Sequence, residues 1–129
     1  NMNTLIIDAA KKEIFLMIIQ SRNIYNVSHE NSKTNYEKLF ILIDNFLKTN
    51  DLKIDNISKL YVNRGPGSFA GIRNSLAVVK AIYLTKKIDY YCFSLEDFAD
   101  VKNIKYENIP NLCDKLKIKK NLINPIYLS

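Results

Sequence analysis

The residues best able to do chemistry in this chain lie in and beside one glycine-rich stretch, which reads NRGPGSFAGIR at residues 63–73. The backbone N–H groups of such a turn, with the positive end of a following helix, can hold a phosphate or carboxylate. The flanking arginines could grip the same anion, or they could pair with acids or with a partner subunit. The candidate anion or nucleotide loop therefore consists of Asp8, Arg64, Gly65, Gly67, Ser68 and Arg73.

Two of these residues have a simpler structural interpretation. Asp8 ends an apolar run, so its carboxylate could hold a metal ion or water, or could accept hydrogen bonds from turn amides beside it. Ser68 directly precedes a helical pattern, and capping that helix is favoured over acting as a nucleophile. A site for catalysis needs more groups than the sequence offers here.

Three common catalytic motifs are excluded by the residues present. His29 and Glu30 begin an H-E-x-x-H pattern, but Lys33 occupies its last position. No Gly-Lys-Ser/Thr follows the glycine-rich turn, so it is not a P-loop. Gly67 directly precedes Ser68, which excludes the G-x-S-x-G elbow. His29 is the only histidine, which excludes a His-rich metal site and makes any catalytic dyad depend on one loop residue. We predict no catalytic residue and no metal site.

The elements that must position the loop follow from hydrophobic periodicity. Apolar runs predict strands at residues 4–8, 14–19 and 24–27, and their short connections predict an antiparallel meander. Strands at residues 60–62 and 90–93 should be parallel to each other, because a helix crosses between them. Helices are predicted at residues 35–49, 69–85, 95–100 and 109–118, with an extended end at 124–128.

This element order predicts an α/β fold. A meander followed by βαβ units gives a mixed five-stranded sheet with helices on both faces, in the ribonuclease-H-like arrangement. At 129 residues the chain is long enough for one domain with a real core, but not for two.

The first two long helices carry more apolar surface than one sheet can cover. Residues 39–43 are apolar all round, and between residues 76 and 84 only Lys80 is polar. Either a partner covers the excess, which we favour, or the helices and the tail cover one another. The candidate residues for the helix core or a partner interface are Tyr36, Leu39, Phe40, Ile43, Phe69, Ile72, Leu76, Val79 and Tyr83.

Composition is that of an ordinary globular protein, with 47% hydrophobic and 25% charged residues. The net charge of +6 suits an anionic partner such as RNA, or reflects a genome rich in Lys, Asn and Ile codons. Basic residues cluster only at 115–120. Cys92 and Cys113 do not make a disulfide framework, and no apolar run is long enough to span a membrane. We therefore expect a cytoplasmic protein.

The glycine-rich stretch resembles the signature of the TsaB family, also called YeaZ, glycoprotease-like proteins of tRNA threonylcarbamoyladenosine synthesis. That family carries a G-R-G-P-G-S-F-T-G-[LIV]-R block after a strand. Supporting matches lie at residues 5–8, 37–44, 94–96 and 125–128. The resemblance implies an actin-like ATPase lobe, formed by residues 2–100, with residues 101–129 as a tail whose short helix packs on it.

The chain departs from the family pattern in ways that bear on function. Ala9 and Ala10 replace two hydroxyl residues, Asn63 replaces a glycine, and Ala70 replaces a threonine. Residues 101–129 are too few for the second subdomain that usually follows. A two-lobed actin-like fold binds nucleotide between its lobes, so we expect neither ATP binding of that kind nor any cofactor.

The resemblance therefore implies a non-catalytic scaffold. Members of the family pair with a TsaD-like catalytic subunit through their first and second helices, and a TsaE-like ATPase joins that complex. Contact with tRNA would be indirect, and the chain alone would form a homodimer. Two alternatives remain open: a glycoprotease-like hydrolase or nucleotide-binding phosphotransferase that uses Asp8, and a basic RNA-binding module.

Overall fold

The molecule is built on one mixed five-stranded sheet, in a computed structural model that describes residues 2–127. The strand order is β3-β2-β1-β4-β5. β1, β2 and β3 form an antiparallel meander, and β4 and β5 run parallel to β1, which confirms the predicted topology. The strands are β1 (Thr4–Asp8), β2 (Glu13–Ile19), β3 (Ile24–Glu30), β4 (Lys59–Asn63) and β5 (Asp89–Phe93).

Outside the strands, residues 2–127 contain four α-helices and three short 3₁₀ turns. The helices are α1 (Lys33–Tyr36), α2 (Leu39–Thr49), α3 (Phe69–Lys86) and α4 (Ile109–Lys115). The 3₁₀ turns are Ile54–Asn56, Leu95–Phe98 and Tyr106–Asn108. None of the described helices combines the length and apolar character needed to cross a membrane.

The single helix predicted over residues 35–49 is wrong, because the chain turns between α1 and α2. The Asn35 side chain donates a hydrogen bond to the Glu30 carbonyl at 2.8 Å and so ties the first turn to the end of β3. The chain then redirects through Glu37 and Lys38 before Leu39 enters the core. The hydrophobic periodicity does not reveal this turn, because Tyr36 of α1 packs against the same core as the residues of α2.

Smaller corrections concern the later elements. The helix predicted over residues 95–100 is a 3₁₀ turn that covers Leu95–Phe98. The helix predicted over residues 109–118 ends at Lys115, and Lys117 takes the left-handed conformation with a φ of 54°. β3 extends to Glu30, three residues beyond its predicted end. Of the predicted extended end, residue 128 lies outside the described residues.

Because successive side chains of a strand point to opposite faces, apolar residues of the strands form a core on each face of the sheet. Leu5 and Ile7 of β1 point to the face covered by α2 and α3. Ile6 points to the opposite face, which the Leu95–Phe98 turn and α4 cover. Helices therefore lie on both faces, as predicted, and residues after β5 supply the entire second layer described here.

Candidate functional site

The candidate loop lies where the parallel strands end. β1, β4 and β5 terminate at Asp8, Asn63 and Phe93, and their carboxyl ends share one edge of the sheet. The chain leaves β4 through the loop and enters α3. Ligands of open α/β sheets bind at this edge, where the connections on either side of β1 diverge.

Close packing shapes the first half of the loop. The Asn63 side chain accepts a hydrogen bond from the Gly65 N–H at 2.9 Å and closes the turn. Gly65 has a φ of +108°, and a Cβ there would overlap the Ile126 carbonyl oxygen. Glycine is thus required here by both conformation and space.

The second half of the loop is locked to the β1–β2 turn. A Cβ on Gly67 would overlap the carbonyl oxygen of Ala10, and the Ser68 N–H donates to that same oxygen at 2.8 Å. The Ser68 hydroxyl accepts a hydrogen bond from the Gly71 N–H at 3.1 Å. This confirms Ser68 as the N-cap of α3.

Asp8 is fully buried, and both of its carboxylate oxygens have partners within the chain. Oδ1 accepts the Ala10 N–H at 3.0 Å, and Oδ2 accepts the Tyr106 hydroxyl at 2.6 Å. Lys11 Nζ lies 3.8 Å from Oδ2 and donates to the Tyr106 oxygen at 3.2 Å. Burial, then the charge of Asp8 and its hydrogen bond, raise the pKa of Tyr106.

The two arginines do not meet at the loop. Arg64 turns toward the Leu95–Phe98 turn and the tail. Its Nη2 lies 2.7 Å from Asp97 Oδ1 of that turn, and its Nη1 donates to the Asn124 carbonyl of the tail at 3.0 Å. Arg73 lies on the exposed side of α3, with its guanidinium 5.6 Å from the ring centroid of Phe69. The structure thus brings together Asp8, Arg64, Gly65, Gly67 and Ser68, and leaves Arg73 apart.

The space left at the loop is small and of mixed charge. A cleft of about 180 Å³ is lined by Lys11, Asn63, Gly65, Pro66, Ser94, Leu95 and Glu96. An anion placed there would face the Glu96 carboxylate as well as the Lys11 ammonium. Most of the polar side chains around the loop already bond to other parts of the chain, so the arrangement acts chiefly as a junction between sheet, helix and tail.

Several residues of this junction were missed by reasoning from the sequence. Tyr106 contacts Asp8 across 98 positions, and no local pattern signals such a contact. Asp97 carried a signal, because Ser94 and Asp97 read as a capping box. The structure confirms that box: Ser94 Oγ accepts the Glu96 N–H, and Asp97 Oδ2 accepts the Ser94 N–H. The other carboxylate oxygen of Asp97, Oδ1, accepts a hydrogen bond from Arg64 Nη2.

The nine candidate core or interface residues divide by exposure. Leu39, Ile43, Ile72, Leu76 and Val79 are buried in the core on the sheet face of α2 and α3. Tyr36 and Tyr83 are half-buried, whereas Phe40 and Phe69 are exposed. The exposed apolar side chains of α2 and α3 are together called the helix surface, and they are Phe40, Ile41, Phe69, Ala77, Ala81 and Leu84.

Comparison with known proteins decides the family. The family model described as TsaD, tRNA N6-adenosine threonylcarbamoyltransferase, matches residues 19–112. The tRNA threonylcarbamoyladenosine biosynthesis protein TsaB of Buchnera aphidicola is 29% identical over 77 residues, which are 60% of this chain and 35% of that protein. The chain belongs to the TsaB/YeaZ family. It spans about a third of this curated relative's length.

Solved structures confirm the fold. YeaZ from Pseudomonas aeruginosa has a TM-score of 0.66 at 15% identity, over 73% of this chain and 44% of that one. A protein described as similar to peptidase YeaZ from the same organism has a TM-score of 0.67 at 15% identity, over 80% and 50%. Thermus thermophilus RuvC has a TM-score of 0.54 at 9% identity, over 98% and 84%. The ribonuclease-H-like, actin-like lobe is therefore the fold of this chain.

Proposed function

We propose that this chain is a non-catalytic scaffold subunit in the synthesis of tRNA threonylcarbamoyladenosine. In this proposal it pairs with a TsaD-like catalytic subunit in the cytoplasm, a TsaE-like ATPase joins the complex, and tRNA contacts the catalytic partner. Family membership supports the pathway, since the curated TsaB relative carries that function in its name. The chain itself supplies the arguments for the scaffold role.

One contrast within the molecule carries the proposal. At the loop, the tail binds the carboxylate of Asp8 through Tyr106 and the guanidinium of Arg64 through the Asn124 carbonyl. On α2 and α3, by contrast, large apolar side chains face solvent, with Phe40 45% and Phe69 53% exposed. A polar site closed from within and an open apolar surface suit protein pairing better than catalysis.

Among the nine candidate residues, we assign contact with the partner to the exposed ones and not to the buried ones. Leu39, Ile72 and Val79 stabilise the subunit as core residues, since each is at most 1% exposed. Contact with the partner would fall to the helix surface. Arg73 stacks on Phe69 within that surface and would add a charged group of the kind that often anchors protein interfaces.

The test is complex formation with the TsaD-like protein of the same genome, measured by light-scattering chromatography. We expect a one-to-one complex with the unaltered chain. Phe40→Asp should weaken it at least about a hundredfold, because a charge would be buried without a partner in the interface. Ile24→Asp is the matched control: Ile24 is equally exposed, at 45%, but lies on β3.

The pairing proposal fails if both variants fold and bind the partner equally well. It also fails if the unaltered chain does not bind a folded, active partner. Unchanged thermal unfolding of both variants shows that the comparison concerns the surface rather than the fold.

A further inference from the structure

The two edges of the sheet are covered to different extents. Asn121 covers the β5 edge: its N–H donates to the Tyr90 carbonyl at 2.8 Å, and its side-chain oxygen accepts the Tyr90 N–H at 3.0 Å. β3 forms the other edge, and it is seven residues long with an unbroken register against β2. It contains no proline, lysine or bulge, which are the usual protections of an edge strand. This edge can therefore accept a further strand.

The hydrogen bonds of the hairpin fix which β3 backbone groups point away from the sheet. The Asn31 N–H bonds to the Lys12 carbonyl, and bonded and non-bonded pairs alternate from there along the antiparallel ladder. The residues whose backbone groups bond to β2 are Tyr25, Val27 and His29. The residues whose N–H and C=O groups point outward are Ile24, Asn26 and Ser28.

A groove lies beside this edge, between β3 and α2. Its volume is about 490 Å³, which falls within the range of roughly 300–1,000 Å³ that ligand pockets have. Leu42 and Phe46 give it an apolar wall on α2, and Tyr25 and Val27 face it from β3. No lysine, arginine, aspartate or glutamate lines it. The lining residues are Ile24, Tyr25, Asn26, Val27, His29, Leu42, Asn45, Phe46, Thr49 and Asn50.

We propose that the β3 edge and this groove together bind an extended segment of another protein, which adds a strand antiparallel to β3. The outward backbone groups of β3 bond to the backbone of the segment, and alternate side chains of the segment face the groove. A large apolar side chain opposite Val27 would contact Leu42 and Phe46. The site shares no residue with the helix surface, so this inference goes beyond the pairing with a TsaD-like subunit and does not depend on it.

Charges at the two ends of β3 set the direction of the segment. Arg22 precedes β3 and Glu30 ends it, and both are exposed. Neither side chain forms an ion pair within residues 2–127. In an antiparallel segment, a basic residue at the amino end would lie opposite Glu30 and an acid at the carboxyl end would lie near Arg22. The segment therefore runs from a basic residue through alternating apolar residues to an acid.

The groove favours a segment of another protein over a second copy of this chain. Two β3 strands paired about Asn26 would satisfy the same charges. Such pairing would, however, place two grooves side by side and would supply no side chain beyond the Tyr25 and Val27 that already line them. A different segment can carry a side chain large enough to fill the groove, which buries more apolar surface for the same backbone hydrogen bonds.

The probe is a synthetic peptide, Lys-Thr-Ser-Phe-Thr-Val-Ser-Thr-Glu, titrated into the full chain by isothermal calorimetry. Antiparallel alignment places its lysine opposite Glu30, its phenylalanine opposite Val27 and its glutamate near Arg22. We expect one-to-one binding. Exchanging the phenylalanine with the threonine that follows it keeps the composition but turns the ring to the opposite face of the sheet. That peptide should bind about tenfold more weakly or worse, because the groove stays empty.

Variants of the chain test the charges and the backbone separately. Arg22→Glu should weaken binding about fivefold, and a peptide that ends in lysine instead of glutamate should restore it. Asn26→Pro removes an outward N–H and should abolish binding while thermal unfolding changes little. Methylating the peptide nitrogen opposite Asn26 tests the same pair without altering the fold of the chain. Phe40→Asp lies on the helix surface and should bind the peptide as the unaltered chain does.

A folded chain that does not bind the peptide overturns the proposal. Equal binding of the two peptides that differ in the position of phenylalanine overturns it as well, because the groove would then play no part. Sedimentation equilibrium of the unaltered chain and of Asn26→Pro is measured alongside. Self-association that Asn26→Pro abolishes and that the peptide does not displace would assign the β3 edge to a second copy instead.

Discussion

At the scale of single residues, the contact between Asp8 and Tyr106 is the most consequential in the junction. A buried carboxylate must keep its hydrogen bonds, because removing one leaves charge that water cannot reach. Tyr106 meets that need from the tail, and its ring also stacks on Phe15 with 4.2 Å between centroids. The Tyr106 side chain thus makes a hydrogen bond through its hydroxyl and an apolar contact through its ring.

Replacing Tyr106 with phenylalanine isolates the polar part of this contact. We expect the free energy of unfolding to fall by about 1–3 kcal/mol, the usual cost of stripping a partner from a buried charged group. Urea denaturation measures it, with Tyr127→Phe as the control, since that phenol belongs to an exposed tail residue. An equal and small effect of both changes would show that the bond to Asp8 adds no stability.

The same phenol predicts a dependence on alkaline pH. Because the fold raises the pKa of Tyr106, its contribution is complete below the pKa of an unfolded phenol, about 10, and is lost as the pH rises further. Stability of the unaltered chain should therefore fall more steeply above about pH 10 than that of Tyr106→Phe. Parallel stability curves for the two proteins in that range would contradict the assignment.

At the scale of elements, packing and helix propensity have opposite effects at the start of α3. Gly71 is a helical residue, and propensity alone says that alanine there would stabilise by about 1 kcal/mol. A Cβ at this position, however, would overlap the carbonyl oxygen of Ala9 and crowd the Asn31 side chain that donates to that oxygen at 2.8 Å. The close approach of helix and strand end excludes any side chain.

Gly71→Ala should therefore destabilise the protein by roughly 1–3 kcal/mol, the cost of overpacking a rigid site. The matched control is Ala77→Gly on the exposed side of the same helix, which should cost about 1 kcal/mol through propensity alone. Thermal unfolding of the two variants measures both losses of stability. A Gly71→Ala protein more stable than the unaltered chain would mean that the junction can shift to admit the methyl group.

The elements also show how far sequence reasoning reaches. The individual strands, the Ser68 cap and the Ser94 capping box were predictable because each rests on residues close together in the chain. The pairing of the strands followed from their short connections and from the crossover rule. The break before Leu39 was not, since α1 is held by a contact to β3 that periodicity does not carry. The contacts inside the loop were the least predictable. Arg64 could bind an anion or Asp97, and the choice depends on where residues some thirty positions away return to the sheet.

At the scale of the whole molecule, the tail is a layer of the core. Ile109 and Cys113 are at most 1% exposed and pack on Ile6 and Tyr61 of the sheet. Arg64 and Ile126 are further joined by a backbone hydrogen bond at 2.8 Å. Undocking the tail would expose the apolar residues that α4 covers on this face of the sheet, so we expect the lobe of residues 2–100 and the tail to unfold as one cooperative unit.

The two cysteines can measure this cooperativity, because they report on opposite faces. Cys92 of β5 belongs to the core beneath α2 and α3, and Cys113 of α4 belongs to the tail layer. Burial raises the pKa of both thiols to about 12, so alkylation in the native state requires opening of the structure. Site-resolved mass spectrometry after alkylation in low denaturant gives a free energy of opening for each.

Equal opening free energies at the two thiols, both matching global unfolding, are the expected result. Earlier modification of Cys113 would mean that the tail opens separately, with Asp8 then released from Tyr106 and Arg64 from Asn124. Such an opening would free Nη1 of Arg64, a donor that an anion at the loop could use. If the tail and the lobe unfold only together, this end of the sheet stays closed. The helix surface is then the principal surface for contact with a partner.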